Sequence, residues 1–266
     1  MPKVKIRDIE MYYEVKGRGP ELLFIGGTGG DLRDKPNIFD SPLSEHFKIL
    51  AYDQRGLGQT DKPDKPYTMA DYADDVYQLV QSIGWKSSHV IGVSFGGMVA
   101  QEYALRYPSM VKKLVLACTS SGGKGGASYP LHELSGLSSE ERAEILIGLL
   151  DNRLGEGWRR SNPEKCRETL NQMMTPSRFE DEPGRAVGAR RQLEARRDHD
   201  TYDRLSQLRM LVYICGGKFD GLSPPENLEA LHRQIRGSTL EFFEGGHMFL
   251  RQDPNAFKKI ISFLLS

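Results

Sequence analysis

Short apolar runs that end in glycine or a small polar residue recur along the chain, with longer stretches of helical spacing between them. Residues 3 to 16, "KVKIRDIEMYYEVK", alternate apolar and polar positions and predict a hairpin-like pair of strands. After "GRGP", the run "ELLFIGG" predicts a short buried strand ending in glycines. The same form returns in "FKILAYD" ending at Asp53, "SHVIGVS" at Ser94, "VKKLVLACT" at Thr119, "MLVYICGG" at Gly217 and "TLEFFEGG" at Gly246. Several of these are apolar at nearly every position, as strands are when helices cover both faces. Helical patterns separate them. "TMADYADDVYQLVQSIG" places Tyr72, Val76, Leu79, Val80 and Ile83 on one stripe and stops at Gly84, and "FGGMVAQEYALRYP" runs from the serine to a stop near Pro108. At the end, Asp253 and Pro254 fit an N-cap and first-turn residue for "NAFKKIISFLL".

Strands alternating with helices predict an α/β fold with a mostly parallel central sheet of about eight strands, flanked by helices. One stretch departs from the alternation. From "SSGGKGGAS" to about Leu205 there are only charged helical segments, such as "SSEERAEILIGLL" and "EPGRAVGARRQLEARRD". The expected organisation is therefore a core from 1 to 120, a helical cap insertion from 121 to 205 hinged at the glycines, and the rest of the core from 206 to 266.

Composition narrows the setting. A chain of 266 residues can bury a substantial core without a disulfide or metal staple. The 36 basic and 36 acidic residues balance, which gives no electrostatic reason to expect nucleic acid or an anionic membrane as a partner. Cys118, Cys166 and Cys215 are odd in number and form no C-x-x-C pair, as in a reducing compartment. No run reaches bilayer-spanning length and the start has no apolar signal core, so a cytoplasmic monomer or small homo-oligomer is expected.

The candidate chemistry centres on "VIGVSFGGM", where Ser94 stands between Gly92 and Gly96 at the end of a strand and the start of a helix. A serine hydroxyl needs a base to take its proton and fixed donors to hold the oxyanion formed on attack. A sharp strand-to-helix turn exposes the hydroxyl, and the helix start directs free N–H groups at the developing charge. "FFEGGHMF" offers His247 as the base, on a glycine-flanked loop beyond a strand. His46, His89, His132 and His232 lie in or beside regular elements and read as surface or packing residues, while His199 lies in the insertion. "YICGGKFDGLSPP" offers Asp220 as the acid that orients the histidine, in competition with a role capping the helix that begins near Pro224 or Pro225. The loop "GGTGGD" offers Thr28 N–H to pair with Phe95 N–H as the oxyanion hole.

These motifs resemble the α/β-hydrolase superfamily over essentially the whole chain. "GVSFGG" resembles its nucleophile elbow, "GGKFDGLSP" its acid loop, "EGGHMF" its histidine loop, and "YDQRGLGQTDKP" the D-x-R-G-x-G-x-S/T stretch of its smaller esterases. The short length and modest cap are most similar to the 3-oxoadipate enol-lactonase and carboxylesterase group. Where relatives usually carry His-Gly in the oxyanion loop, this chain has Gly26-Gly27. Serine at the elbow separates it from haloalkane dehalogenases and epoxide hydrolases, which use aspartate there, and from dienelactone hydrolases, which use cysteine.

The resulting expectation is a serine hydrolase of small carboxylic esters or lactones, acting through an acyl-enzyme. Thioester, amide or C–C bond hydrolysis uses the same triad, and a non-catalytic small-molecule-binding protein is the rival from another class. Neither "SGGKGGAS" nor "GGTGGD" has nucleotide-loop spacing, so no cofactor and no metal are implied. Asp53 and Arg55 read as structural residues of the loop after their strand. Gly27, Met98, His199, Leu222 and Met248 are the candidate pocket residues. Among Arg185, Arg190, Arg191, Arg196 and Arg197, a solvated helix face accounts for most, with one open to pairing with a substrate carboxylate.

Overall fold

The computed structural model describes residues 2–176 and 178–266. Eight strands form: β1 (Lys3–Ile6), β2 (Ile9–Lys16), β3 (Glu21–Ile25), β4 (Lys48–Tyr52), β5 (Ser88–Val93), β6 (Val111–Ala117), β7 (Leu211–Gly217) and β8 (Thr239–Phe243). They make one sheet in the order β1-β2-β4-β3-β5-β6-β7-β8. The pairs β1–β2 and β2–β4 are antiparallel and the others parallel, so the expected α/β architecture is what the chain adopts.

The α-helices are α1 (Met69–Ser82), α2 (Phe95–Arg106), α3 (Ser139–Leu150), α4 (Glu156–Ser161), α5 (Pro163–Met174), α6 (Arg185–Arg197), α7 (Pro225–Gln234), α8 (Phe249–Gln252) and α9 (Asn255–Leu265). Helix α1 starts where Thr68 and Asp71 cap each other: Asp71 N–H donates to Thr68 Oγ1 at 3.1 Å and Thr68 N–H to Asp71 Oδ2 at 3.0 Å. Its predicted stripe is buried at Tyr72, Val76, Leu79 and Val80. At the other end Asp253 Oδ1 accepts from Asn255 N–H at 2.9 Å, with Pro254 already in helical conformation, as the sequence indicated.

Because side chains alternate across a strand, the apolar runs divide between two cores. Leu114 and Leu116 of β6 pack with Val76 of α1, Val99 of α2 and Leu228 of α7, while Val115 and Ala117 face Ala256, Ile260 and Leu264 of α9. Each such burial contributes about 2 kcal/mol. A register slip of one residue exchanges the two sets and is therefore strongly disfavoured.

Between β6 and β7 the described residues form no strand, only α3 to α6 and short 3-10 turns. The two ends of this excursion meet at a bridge between Gly122 and Asp200, where Thr201 N–H also donates to Ser121 O at 2.8 Å. Among the described residues no helix is long and apolar enough to cross a membrane.

Arg55 and Asp53 have structural partners. The Arg55 guanidinium is buried and donates to both Asp75 oxygens at 2.7 and 2.8 Å and to Asp8 at 2.8 and 3.1 Å. Asp53 accepts from Leu32 N–H at 2.7 Å and Gln59 N–H at 2.8 Å, fixing the loops after β3 and β4 against each other.

Candidate active site

Strand order reverses direction between β3 and β5, which pair side by side with Ile25 opposite Gly92. In a parallel sheet such a switch point opens a crevice at the strands' carboxyl ends. The Ser94 turn follows β5 and the "GGTGGD" loop follows β3, so both open into the same crevice.

Ser94 has φ +55° and ψ −120°, a conformation that costs a non-glycine residue about 1–3 kcal/mol. Surrounding contacts hold it there. Its N–H donates to Ala117 O at 2.8 Å, and its carbonyl accepts from Thr119 Oγ1 at 2.8 Å and Gly97 N–H at 2.9 Å. The flanking glycines are required by close packing: a Cβ on Gly96 would lie 2.1 Å from Ile25 O, and one on Gly92 would lie 2.4 Å from Gly96 O. The strained turn aims the hydroxyl away from the backbone at His247, with Ser94 Oγ 3.0 Å from His247 Nε2.

Asp220 and His247 come from the ends of the adjacent strands β7 and β8. His247 Nδ1 lies 2.7 Å from Asp220 Oδ2. The other oxygen, Oδ1, accepts from Leu222 N–H at 2.9 Å and Ser223 N–H at 2.8 Å. Asp220 therefore organises its own turn and the histidine, and α7 instead begins after Pro224 with no side-chain cap.

Helix α3 fixes both loops by a means the sequence does not display. Its last carbonyls, left without intrahelical partners, accept from Gly221 N–H (Leu149 O, 2.9 Å) and from His247 N–H (Leu150 O, 2.6 Å). Cys118, also unforeseen, lies with its sulfur within 4.8 Å of the Asp220 and His247 ligand atoms. Burial raises the Cys118 thiol well above its ordinary value, so it is a neutral wall beside the acid.

The "GGTGGD" loop is held from both sides. Gln54 Nε2 donates to Gly26 O at 2.8 Å from the sheet side, and Gly29 N–H donates to the buried Gln192 Oε1 of α6 at 2.9 Å. A Cβ on Gly27 would lie 3.5 Å from the Ser94 Cβ, so this loop passes directly over the hydroxyl's own carbon. Phe95 N–H is the first of the helix-start donors of α2, and its ring is buried edge-on against Tyr72 at 5.0 Å.

A cleft of about 1000 Å³ contains Ser94 and His247, with Gly27, Thr28, Leu222 and Met248 among its lining residues. Leu146 and Leu150 of α3 and Ala189 and Leu193 of α6 give it apolar lining, alongside the charged Arg142, Arg190, Glu194 and Arg251. Met98 and His199 do not line this cleft. They line a separate cavity of about 70 Å³, and His132, read from sequence as a surface or packing residue, borders both spaces. His132 could not be singled out because it sits on a short 3-10 turn, Leu131–Gly136, with no periodic pattern.

His199 is buried, with Nε2 3.3 Å from Ser120 O, and burial lowers its pKa from 6.5 to about 4. The folded state thus binds fewer protons than the unfolded state between these values. Its contribution is fully present above about pH 6.5 and is lost as pH falls towards 4, a change of about 3 kcal/mol. Asp53, raised by burial to about 6, acts in the opposite direction over an overlapping range. In urea unfolding, the stability of the wild type relative to His199→Gln is expected to fall by about 3 kcal/mol from about pH 7 to about pH 4. A difference independent of pH would contradict the burial of a neutral imidazole here.

A family model described as the alpha/beta hydrolase fold matches residues 20–254. The poly(3-hydroxyalkanoate) depolymerase of Ectopseudomonas oleovorans is 27% identical over 242 residues, covering 90% of this chain and 82% of that protein. A thermophilic esterase from Thermogutta terrifontis, solved with malate bound, is 26% identical with a TM-score of 0.75, covering 100% of this chain and 98% of that one. The enol-lactonase from Burkholderia xenovorans LB400 has a TM-score of 0.77 at 19% identity, with 99% of each chain covered, and shows the shared fold. The match over most of the chain, together with the eight-stranded sheet and its order, leads to one statement of kinship: this chain belongs to the α/β hydrolase family.

Proposed function

We propose that the protein hydrolyses carboxylic esters or lactones through a Ser94 acyl-enzyme, with His247 as general base, Asp220 as its orienting acid and residues 121–205 as a cap over the cleft. The observation that carries the reading is the continuous hydrogen-bonded chain from Ser94 Oγ through His247 to Asp220, at 3.0 and 2.7 Å. His247 Nε2 takes the hydroxyl proton as Oγ attacks the carbonyl carbon, and the carbonyl electron pair moves onto oxygen. Thr28 N–H and Phe95 N–H hold that oxyanion. The imidazolium, stabilised by Asp220, gives its proton to the leaving alkoxide, and the acyl group remains on Ser94. A water then repeats the sequence: His247 removes its proton, the second tetrahedral intermediate collapses, and Ser94 leaves with the proton returned to it.

The leucines and alanine that α3 and α6 contribute to the cleft suit the hydrocarbon part of an acyl or alkyl group. The esterase activity named for the Thermogutta relative supports esters over other acyl compounds. The test is a panel at neutral pH containing 4-nitrophenyl acetate and butyrate, γ- and δ-lactones, an acyl thioester and a 4-nitroanilide. Esters or lactones are expected to exceed the anilide in kcat/KM by at least about 100-fold, because an amine is a far poorer leaving group than an alkoxide or phenoxide. Anilide or thioester turnover above both would replace the ester reading with another acyl transfer on the same residues.

A further inference from the structure

The loop assigned to the oxyanion hole has almost no side chains with which to anchor itself. Gly26, Gly27, Thr28, Gly29 and Gly30 follow β3, and Gly29 has φ +71°. Glycines have a wide choice of backbone conformations, so groups outside the loop must select one. Gln54 Nε2 holds the Gly26–Gly27 peptide plane, donating to Gly26 O at 2.8 Å. Gln192 Oε1 holds the Thr28–Gly29 plane, accepting from Gly29 N–H at 2.9 Å. Between these two lies the Gly27–Thr28 plane, which carries the Thr28 N–H. Its carbonyl accepts from Gly30 N–H at the longer distance of 3.3 Å.

Both glutamines are committed to this grip. A buried amide ordinarily satisfies both of its ends. Gln54 and Gln192 are 2% and 0% exposed, yet Gln54 Oε1 and Gln192 Nε2 find no partner among the described residues. Turning either amide over would set donor against donor or acceptor against acceptor at the loop, so the loop fixes both orientations and each far end stays unpaired at a cost.

Gln192 belongs to α6, outside the sheet, and its reach depends on how that helix sits. Gly188 stands one turn before it on the same face. A Cβ on Gly188 would lie 1.8 Å from Gly56 O, two residues beyond Gln54. Helix α6 thus rests backbone to backbone on the loop that supplies the other glutamine. Arg185 pairs with Asp31 at 3.3 Å, and Arg190 and Arg191 reach Asp64 at 3.2 and 2.7 Å, which pins the helix along its length.

We propose that Gln192 is a positioning residue for the oxyanion hole: from the seated α6, together with Gln54, it fixes the peptide planes on either side of Thr28 N–H and aims that donor at the developing oxyanion. This rests on the serine-hydrolase reading above, with Thr28 as a donor. A donor held in place before reaction stabilises the transition state more than the bound ester, so the effect falls on kcat and little on KM.

The experiment measures kcat and KM for 4-nitrophenyl butyrate and the thermal midpoint of wild type, Gln192→Met and Gln54→Met. It adds the affinity of each for butyl trifluoromethyl ketone, which adds to an activated serine and leaves an oxyanion in the hole. In Gln192→Met the exposed Gly29 N–H passes to water and the unpaired Nε2 is removed, so a midpoint within a few degrees of wild type is expected. Its kcat is expected to fall on the order of 10- to 100-fold with KM within about 3-fold, and ketone affinity to fall in parallel with kcat/KM. Gln54→Met is expected to give the same pattern from the other side of the loop. Wild-type kcat and ketone affinity in folded Gln192→Met, whatever its midpoint, would make Gln192 a structural residue and overturn the proposal while sparing the hydrolase. A wild type that turns over no ester and binds no ketone would overturn the hydrolase reading and this inference with it.

Discussion

Ser94→Ala is expected to lower kcat for ester hydrolysis on the order of 10⁴- to 10⁶-fold, the range seen when the nucleophile of a serine triad is removed. The hydroxyl oxygen makes one side-chain hydrogen bond, to His247, so its loss leaves the backbone supports of the turn in place. Alanine carries the same Cβ as serine and bears the same φ of +55°, so the backbone strain is unchanged. Thermal midpoints should agree within a few degrees, the scale on which about 1 kcal/mol registers in a domain this large. Steady-state kinetics and a melting curve on the two proteins check this. Ester hydrolysis at comparable rates by both would remove Ser94 from the mechanism.

Asp220→Asn should cost nearly as much, about 10⁴-fold in kcat near neutral pH, through the histidine's protonation pattern. Oδ1 of Asp220 is held by two backbone N–H donors, from Leu222 and Ser223. Asparagine keeps those bonds only by presenting its carbonyl oxygen to them, which turns its NH₂ towards His247 Nδ1. The imidazole then accepts at Nδ1 and carries its proton on Nε2, the nitrogen that must accept from Ser94. The fold is undisturbed while the base is in the wrong tautomer. The measurement is kcat at neutral pH, with a folded state verified by near-UV circular dichroism. A loss smaller than about 10-fold would mean that Asp220 caps its turn and does not orient the base.

The strands were legible because β1 and β2 alternate apolar and polar positions and the other six are compact apolar runs ended by glycine or a small polar residue, and the residues of the Ser94–His247–Asp220 chain because each follows such a run. The 3-10 turns and the helices α4 and α5 were less legible. Helix α5 places Cys166, Leu170, Met173 and Met174 at helical spacing, but none of its residues is fully buried and charged residues interrupt the stripe, so the pattern is weak. Sheet order is likewise absent from periodicity, which sets a strand's faces and not its neighbours. The supports of the site lay beyond reach for a related reason. Leu149 and Leu150 act through carbonyl groups, which every residue possesses, and Gln54 and Gln192 are unremarkable until the fold carries them to the loop after β3. The arginines of α6 were visible as a group, but their partners Asp31 and Asp64 lie more than 100 residues away. That Arg196 alone among them has no acidic partner among the described residues emerges only in the assembled structure.

Whether Ser94 is an activated nucleophile is read from the intact mass of wild type and Ser94→Ala after exposure to a small fluorophosphonate. Fluorophosphonates phosphonylate activated serines, and the adduct mimics the tetrahedral intermediate of the mechanism proposed above. One adduct is expected on the wild type and none on Ser94→Ala. A folded wild type that stays unmodified, or a variant labelled as fully as the wild type, would contradict it.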